Sequence, residues 1–280
     1  MVYKTKQIKQ HGNVKKIFLF LKQNYFLLVI MACVGFVGLV AFYKLFISKP
    51  TYVYTKVKVG QGLWWASTQK PSLWFVKAIQ QAKEQKDLTG KPIASVLDVS
   101  YYPYTASSYL SGQYDAYVTL KLKVSKVGGS YSFNRNTIGV GSSIDLEFPN
   151  VQFSGTIIAL STTPFHDQYT EKTVYLTNRL PLPWEYDQIH IGDSQTNGNQ
   201  TVFTILDKSY GEVTDTTYIQ QGTLVSTPTS LYTVKAQIRV KKVNGQDVFG
   251  EEYVVAPGKL LQGVATDNFT FTDYYITKVE

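Results

Sequence analysis

The chain has 280 residues, of which 44% are hydrophobic and 17% charged. This composition excludes a largely disordered chain, because enough apolar residues are present to bury a core. The formal net charge is +8, yet eight of the 28 basic residues precede Pro50, whereas all 20 acidic residues follow it. The region after Pro50 is therefore formally neutral, which argues against nucleic acid as a partner.

The first 24 residues form a basic tail, with six lysines and no acidic residue. Residues 25–43 follow as a run of 19 residues without a charged side chain. As a helix at about 1.5 Å per residue, such a run spans about 28 Å, close to the hydrocarbon thickness of a bilayer. We therefore predict one transmembrane helix at residues 25–47. This prediction is favoured over a buried soluble helix and over a cleaved signal peptide, because the apolar run is too long for either.

Several residues are typical of a membrane anchor. Tyr25 and Tyr43 occupy the two expected interfaces, and Lys44 is close enough to extend its ammonium group to the headgroups. Gly35 and Gly38 belong to a ridge of small residues, which indicates either contact with a second helix or the ordinary glycine content of such helices. The lysine-rich tail predicts a cytoplasmic N-terminus at the cell membrane, in contact with anionic lipid, and an extracytoplasmic C-terminal region.

The outer region contains two similar halves, residues 51–163 and residues 171–280. Each half carries a segment that ends in an aliphatic pair, an aspartate, a serine and a tyrosine, with Asp98 and Asp207 at matching places. Each then continues into alternating apolar residues that predict half-buried strands. Gly128-Gly129 and Asn244-Gly245 follow these strands, and both pairs suit a two-residue hairpin turn with positive φ.

The predicted fold is mainly β: one N-terminal transmembrane helix, then two repeated barrel-like or sandwich-like units. At most short helices are expected, the clearest at residues 72–86 with Ser72 as its cap. Trp74 and Trp184 recur after a proline in each half, and we expect both to fill cores. Whether the two halves form one domain or two is left open.

Two resemblances accompany this pattern. Ile189, Gly192 and Asp193 form an I-x-x-G-D motif, and with the anchor and the repeat they make the chain similar to a family of bacterial membrane-anchored proteins that carry a domain of unknown function. Ala82 and Lys83 replace the glycine and aspartate in the first half. Residues 138–162 also resemble barrel modules of periplasmic adaptor (membrane fusion) proteins, and more loosely mammalian-cell-entry lipid-transfer domains. The first resemblance implies no activity, whereas the second implies a transport assembly.

Catalytic patterns are not evident. The only cysteine, Cys33, lies in the apolar run, and His166 and His190 have no partner at metal-ligand spacing. Asp98 and Asp207 resemble paired carboxylates, but their place in a repeated element favours a structural role at strand ends. We therefore predict a protein that is not an enzyme and has neither a metal ion nor a cofactor.

The aromatic residues give the only candidate contact site. Trp64, Trp65, Tyr101, Tyr102 and Tyr104 cluster in the first half, where they either pack or contact a glycan, a protein or the membrane. The sequence therefore predicts a binding or scaffolding protein of the bacterial envelope with a protein partner. The alternatives are an adaptor or lipid-handling subunit of an envelope transport assembly, and a surface polysaccharide-binding protein.

Overall fold

The computed structural model describes residues 24–43, 50–60, 70–105, 112–178, 184–198, 200–220 and 222–280. The chain divides into two compact units, Met1–Pro50 and Thr51–Glu280. The predicted basic tail, Lys44 and the last residues of the predicted anchor lie outside the described residues.

In the first unit, Tyr25–Phe42 form an α-helix of 18 residues, α1. Its first turn is closed by the Leu28 N–H, which donates to the Asn24 carbonyl. Large apolar side chains such as Phe26 and Leu39 are exposed, as are Tyr25 and Tyr43. Gly35 and Gly38 have open space where a Cβ would stand. Within the residues described, no helix combines the length and hydropathy that a membrane crossing needs.

The second unit is mainly β, as predicted. Its described part contains two short α-helices and two antiparallel sheets. The helices are α2 (Leu73–Gln81) and α3 (Glu185–Gln188). The strands of the first sheet are β1 (Thr51–Gly60), β2 (Glu84–Lys86), β3 (Pro92–Pro103), β4 (Tyr114–Val127), β5 (Ser130–Phe133), β6 (Asn136–Ile138), β7 (Ser143–Phe148) and β8 (Val151–Ser161). Those of the second are β9 (Tyr169–Asn178), β10 (Ser194–Thr196), β11 (Thr201–Gln220), β12 (Thr223–Val243), β13 (Gln246–Phe249), β14 (Tyr253–Val254) and β15 (Tyr274–Val279).

The first sheet is curled into a half-barrel with the order β2-β3-β4-β1-β8-β7. Its two edges approach each other, because the Glu147 N–H of β7 donates to the Gln85 side chain of β2. Helix α2 buries Val76 and Ile79 in the core of this sheet. Asn150, in the β7–β8 turn, donates to the Ala78 carbonyl and so holds the helix against that turn.

The second sheet repeats this order as β10-β11-β12-β9-β15, with β13 on β12 as β5 lies on β4. The ladders share a local irregularity: a β-bulge lies between Val96 and Asp98 on β3, and another lies between Ile205 and Asp207 on β11. Such a bulge adds a residue to one strand and changes the direction of neighbouring side chains. Asp98 and Asp207 are thus structurally matched.

The alternating apolar residues behave as period two requires. Those of β4 (Val118, Leu120, Leu122, Val124) and those of β12 (Val234, Ala236, Ile238, Val240) are all buried. The two predicted hairpin turns are confirmed, because Gly128, Gly129, Asn244 and Gly245 all have positive φ, between 50° and 92°. Positive φ at both central residues matches the right-handed twist of the flanking strands.

One local prediction is confirmed in part: Ser72 is the N-cap residue of α2 and its carbonyl accepts from Phe75 and Val76, but its side chain makes no cap hydrogen bond. Two other local predictions are wrong. Trp74 is 72% exposed and Trp184 51% exposed, so neither ring fills a core. The buried face of α2 carries Val76 and Ile79, which leaves position 74 on its outer side.

At the end of the chain, only Tyr274–Val279 forms a regular strand. Phe269 and Phe271 are buried in the core of the second sheet, but residues 261–273 around them form no regular strand. Within those residues there is one isolated β-bridge, between Ala265 and Thr270. Aromatic rings therefore fill the core here without a regular strand.

Candidate functional site

A cleft of about 1280 Å³ lies between the two sheets of the second unit. One wall is the outer face of the first sheet, with Lys56 of β1, Asp98 and Ser100 of β3, and Tyr117 and Thr119 of β4. The other wall comes from the second half and the connection before it: Tyr169 of β9, Arg239 of β12, Asn197, Gly198, Gln200, Pro164, Phe165 and Asp167. The cleft is therefore built from both halves of the repeat.

An ion cluster closes one side of the cleft. Lys241 Nζ lies 3.0 Å from Asp167 and 2.5 Å from Glu251, and Lys56 Nζ lies 3.0 Å from the same glutamate. Lys56 also pairs with Asp167. The two lysine side chains are only 10% and 6% exposed, so the cluster is largely removed from water.

The electrostatics of this cluster fix its charge state near neutral pH. Burial alone lowers the pKa of Lys56, but the charge of Glu251 and the hydrogen bond to Asp167 outweigh it and hold the pKa above its usual range. Burial raises the pKa of Asp167, but hydrogen bonds from Lys56 and Lys241 reverse this and hold it below its usual range. Lys56 and Asp167 therefore stay ionised near neutral pH, and the contacts of this cluster join the two sheets.

A second polar cluster continues the joint. Lys70 Nζ lies 2.5 Å from the Asp115 carboxylate, and the Tyr253 hydroxyl donates to its other oxygen at 2.6 Å. Lys58 pairs with Glu252 at 2.7 Å. Burial raises the pKa of Asp115, but the bonds from Lys70 and Tyr253 outweigh burial and lower it. Residues 250–253, the clasp turn between β13 and β14, thus contribute to both clusters.

Tyr102 of the first sheet is held within the second. Its hydroxyl accepts a 2.6 Å hydrogen bond from the Asn197 amide, and its ring packs edge-on against Phe249 at 5.1 Å. Gly250 (φ 64°) lies directly against this ring, where an added Cβ would approach it to 3.1 Å, and at Gly263 (φ 76°) an added Cβ would lie 3.4 Å from the Tyr102 Cβ. The clusters and this contact together keep the two walls of the cleft in register.

Inside the cleft, several polar side chains have no partner within the described part of the chain. Asp98, Gln80, Ser100 and Thr119 line it without a side-chain hydrogen bond or ion pair. The matched Asp207 differs, because its carboxylate accepts the backbone N–H of Lys208 at 2.9 Å and it lies away from the cleft. The unpaired groups in the cleft are available to a ligand.

Two aromatic rings complete the lining. The guanidinium carbon of Arg239 lies 4.5 Å from the centre of the Tyr169 ring, and its Nη1 donates to Gln200 at 2.7 Å. The ammonium group of Lys56 lies 5.5 Å from the Phe165 ring. Burial, followed by the negative charge of Asp167, raises the pKa of Tyr169 to about 12. This hydroxyl is therefore neutral over the physiological range, and it donates to the Asp167 carboxylate at 3.4 Å.

A buried carboxylate in the second sheet has a different character. Glu185 of α3 accepts hydrogen bonds from Tyr232 at 2.8 Å, from Tyr274 at 3.1 Å and from Asn178 at 3.3 Å. Burial is the main reason that the pKa values of both tyrosines are raised. The carboxylate oxygen is satisfied by groups of the chain itself, so this network anchors α3 to its sheet. Among the described residues no group of three metal-ligating side chains is arranged to hold a metal ion.

The structure separates the contact residues predicted from sequence. Trp64 and Trp65 lie outside the described residues. Tyr101 and Tyr102 are buried, so neither presents an open ring face. Tyr104 is partly buried, with the Lys70 ammonium group 5.0 Å from its ring centre. These three tyrosines therefore belong to the packing next to the joint and do not line the cleft.

Sequence reasoning missed the residues that do line the cleft. One signal was available: the clasp turn carries Glu251 and Glu252, whereas the first half has Arg135 and Asn136 after the equivalent strand. A charge reversal between two copies of one element marks a place where the copies have different neighbours.

Comparison of the chain with protein-family models, curated proteins and solved structures found no match.

Proposed function

We propose that this chain is a non-enzymatic binding protein of the bacterial cell envelope, anchored by residues 25–47, with the cleft of Thr51–Glu280 as its binding site outside the membrane. The observation that carries the proposal is the cleft itself. At about 1280 Å³ it exceeds the roughly 300–1,000 Å³ of ordinary small-molecule sites, which favours an extended ligand. Its walls are joined by ion clusters, and its unpaired polar groups are open to a ligand.

The anchor is supported by the same residues that suggested it. The uncharged run is helical over Tyr25–Phe42, with exposed apolar side chains on all sides. A helix over all of the proposed residues 25–47 would span about 34 Å at 1.5 Å per residue. The lysines of the tail favour the cytoplasmic side for the N-terminus.

Site-specific photo-crosslinking in native membranes tests the binding site. Leu97 and Leu206 form a matched pair, since each lies at the bulge before the matched aspartate and each is exposed, 51% and 39% respectively. Only Leu97 lines the cleft. A photoreactive residue at position 97 is expected to give an adduct, while the same residue at position 206 gives none. Equal yields, or no adduct at position 97, would overturn the proposal.

The nature of the adduct also separates this function from its main rival. An adduct between two copies of the chain would favour an adaptor subunit of an oligomeric transport assembly. An adduct with another envelope component supports binding.

The proposed topology has a separate test. In intact cells, a cysteine at the fully exposed Leu88 position should react with a membrane-impermeant maleimide, while one at Lys6 should react only after lysis. The opposite pattern would reverse the proposed topology.

A further inference from the structure

We infer that the cleft binds a neutral oligosaccharide, which deepens the proposed binding function and rests on it. The first support is the chemistry of the lining, which is rich in neutral donors and acceptors: Gln80, Ser95, Ser100, Thr119, Asn197 and Gln200. Amides and hydroxyls both donate and accept hydrogen bonds. A ligand that carries many hydroxyl groups can satisfy such a lining without bringing a charge.

The charges of the cleft give the second support. Lys56 is already neutralised by Asp167 and Glu251, and the guanidinium of Arg239 bonds Gln200 and lies against the ring of Tyr169. The remaining charges balance, because Lys83 and the guanidinium of Arg239 stand against Glu84 and Asp98. A polyanion would find no excess of positive charge in this space, so the lining favours a ligand without a net charge.

Aromatic rings and one carboxylate supply the specific contacts. Tyr169 is 39% exposed, with a cation on one side of its ring. Its uncovered surface suits the C–H face of a pyranose, since aromatic rings present an apolar body beside a polar tip. The unpaired Asp98 carboxylate has two oxygens that can accept bonds from neighbouring hydroxyl groups, and hydrogen bonds to a charged group are the stronger kind.

A peptide is the other extended ligand to consider, and the geometry disfavours it. An extended peptide binds by adding a strand to a regular sheet edge. The strand that borders the cleft, β3, is interrupted by the bulge between Val96 and Asp98, and β2 already covers its first part. A bulge at an edge breaks the regular spacing of backbone groups that strand addition needs.

The chain offers two matched controls. Asp98 and Asp207 occupy equivalent bulges, but only Asp98 lines the cleft. Tyr169 and Tyr175 lie on the same strand, and each has a cation near its ring, yet only Tyr169 lines the cleft. Asp98→Asn and Tyr169→Ala should therefore weaken binding, while Asp207→Asn and Tyr175→Ala should not.

The test is calorimetric titration of the full-length protein in lipid nanodiscs, since sugar-based detergents would compete. The probes are a panel of neutral tetrasaccharides of hexoses and N-acetylhexosamines, with tetragalacturonate as the anionic comparison. At least one neutral probe should bind, tetragalacturonate should bind more weakly, and each cleft variant should lose about tenfold in affinity, as expected for one charge-assisted bond or one stacked ring. The control variants should stay within about twofold.

Several outcomes would overturn the inference. These are no binding by any neutral probe, tighter binding of tetragalacturonate, or an equal loss in the control variants. Thermal unfolding of each variant separates lost binding from lost folding, and the surface change Asp98→Asn carries the test if Tyr169→Ala unfolds. An adduct between position 97 and a protein, together with no binding of neutral sugars, would contradict the oligosaccharide as ligand but support the cleft as a binding site. The absence of any adduct would contradict both proposals.

Discussion

The two sheets share a strand order and a bulge, but they differ in what each adds to that plan. The first sheet curls, brings its edges together through Gln85 and covers its core with α2. The second has only the four-residue α3 at the equivalent place. It carries instead the clasp turn, whose Glu251, Glu252 and Tyr253 contact the first sheet. The repeat therefore supplies the scaffold, and the differences between its copies create the joint and the cleft.

The matched aspartates show the same division. Asp98 and Asp207 follow equivalent bulges, but the second sheet covers the surroundings of Asp98 and leaves Asp207 on an open surface. Two residues at equivalent bulges thus come to lie on different surfaces through packing. The following predictions test how far this difference between the halves extends.

The largest effect is expected from the joint. Glu251→Gln leaves Lys56 and Lys241 sharing the single carboxylate of Asp167 in a largely buried site. Breaking a buried ion pair by removing one partner costs about 3 kcal/mol of unfolding free energy. The control Glu252→Gln removes a carboxylate that is 41% exposed, and should cost less than about 1 kcal/mol. Denaturant unfolding of the full chain measures both, and equal costs would show that the buried cluster is not the main joint.

A smaller effect is expected at Gly263, which lies against the Tyr253 ring. An alanine Cβ at position 263 would lie 2.7 Å from the Tyr253 ring, and the backbone has φ of 76°. Gly263→Ala should therefore cost about 2 kcal/mol from backbone strain and overpacking together. Gly258→Ala shares the positive φ, 82°, but has open space around the Cβ, so it should cost only about 1 kcal/mol. Thermal unfolding distinguishes the two, and equal losses would leave backbone strain as the only effect.

The joint should also weaken in acid. Lysine contacts hold the pKa of Asp115 and Asp167 below the ordinary value of 3.8, so the folded protein stays deprotonated where the unfolded chain begins to bind protons. Their contribution is complete above that value and falls as pH drops through the folded pKa, by up to about 1.4 kcal/mol per pH unit for each group. Between pH 2 and 6, the free energy of unfolding should decrease less steeply with falling pH in Asp115→Asn than in the unchanged protein. An unchanged slope would contradict the role given to this carboxylate.

At alkaline pH the stability of the joint should change in the opposite direction, falling as pH rises. The pKa of Lys56 lies above its ordinary value of 10.5, so its contribution is complete below that value and is lost as pH rises through the folded pKa. Between these limits the charges of Lys56, Asp115 and Asp167 are constant. Their contribution to the free energy of unfolding should therefore not change with pH around neutrality.

The smallest change in the free energy of unfolding is expected from substitutions in the two hairpin turns. The first sheet has Gly-Gly and the second Asn-Gly, with φ of 58° at Gly128 and 50° at Asn244. Asparagine tolerates this conformation, and replacing glycine restricts the unfolded chain, so Gly128→Asn should stabilise by about 0.5 kcal/mol. Asn244→Gly should lower the unfolding free energy by a similar amount. A loss of stability in both variants would mean that the turns are held by contacts specific to each sheet.

Much of the local structure followed from the sequence. Period-two alternation identified β4 and β12, and the paired turn residues identified their hairpins, because these signals depend only on neighbouring residues. The burial of Trp74 and Trp184 was wrongly predicted, because the sheet beneath a short helix selects which of its faces is buried. For Tyr101 and Tyr102 the sequence left packing and contact open, and both rings are buried because they lie in the cores of the packed sheets.

By itself the sequence determined the mainly β class, the hairpin turns and an uncharged run of 19 residues, all of which are set by local propensity and hydrophobic period. Only the tertiary structure decided where the halves meet. Lys56, Asp167, Lys241 and Glu251 are up to 195 residues apart in the chain, and they meet only because one sheet packs on the outer face of the other. The cleft follows from that packing, because charge pairs and bulged strands set its walls in a way that no local pattern records.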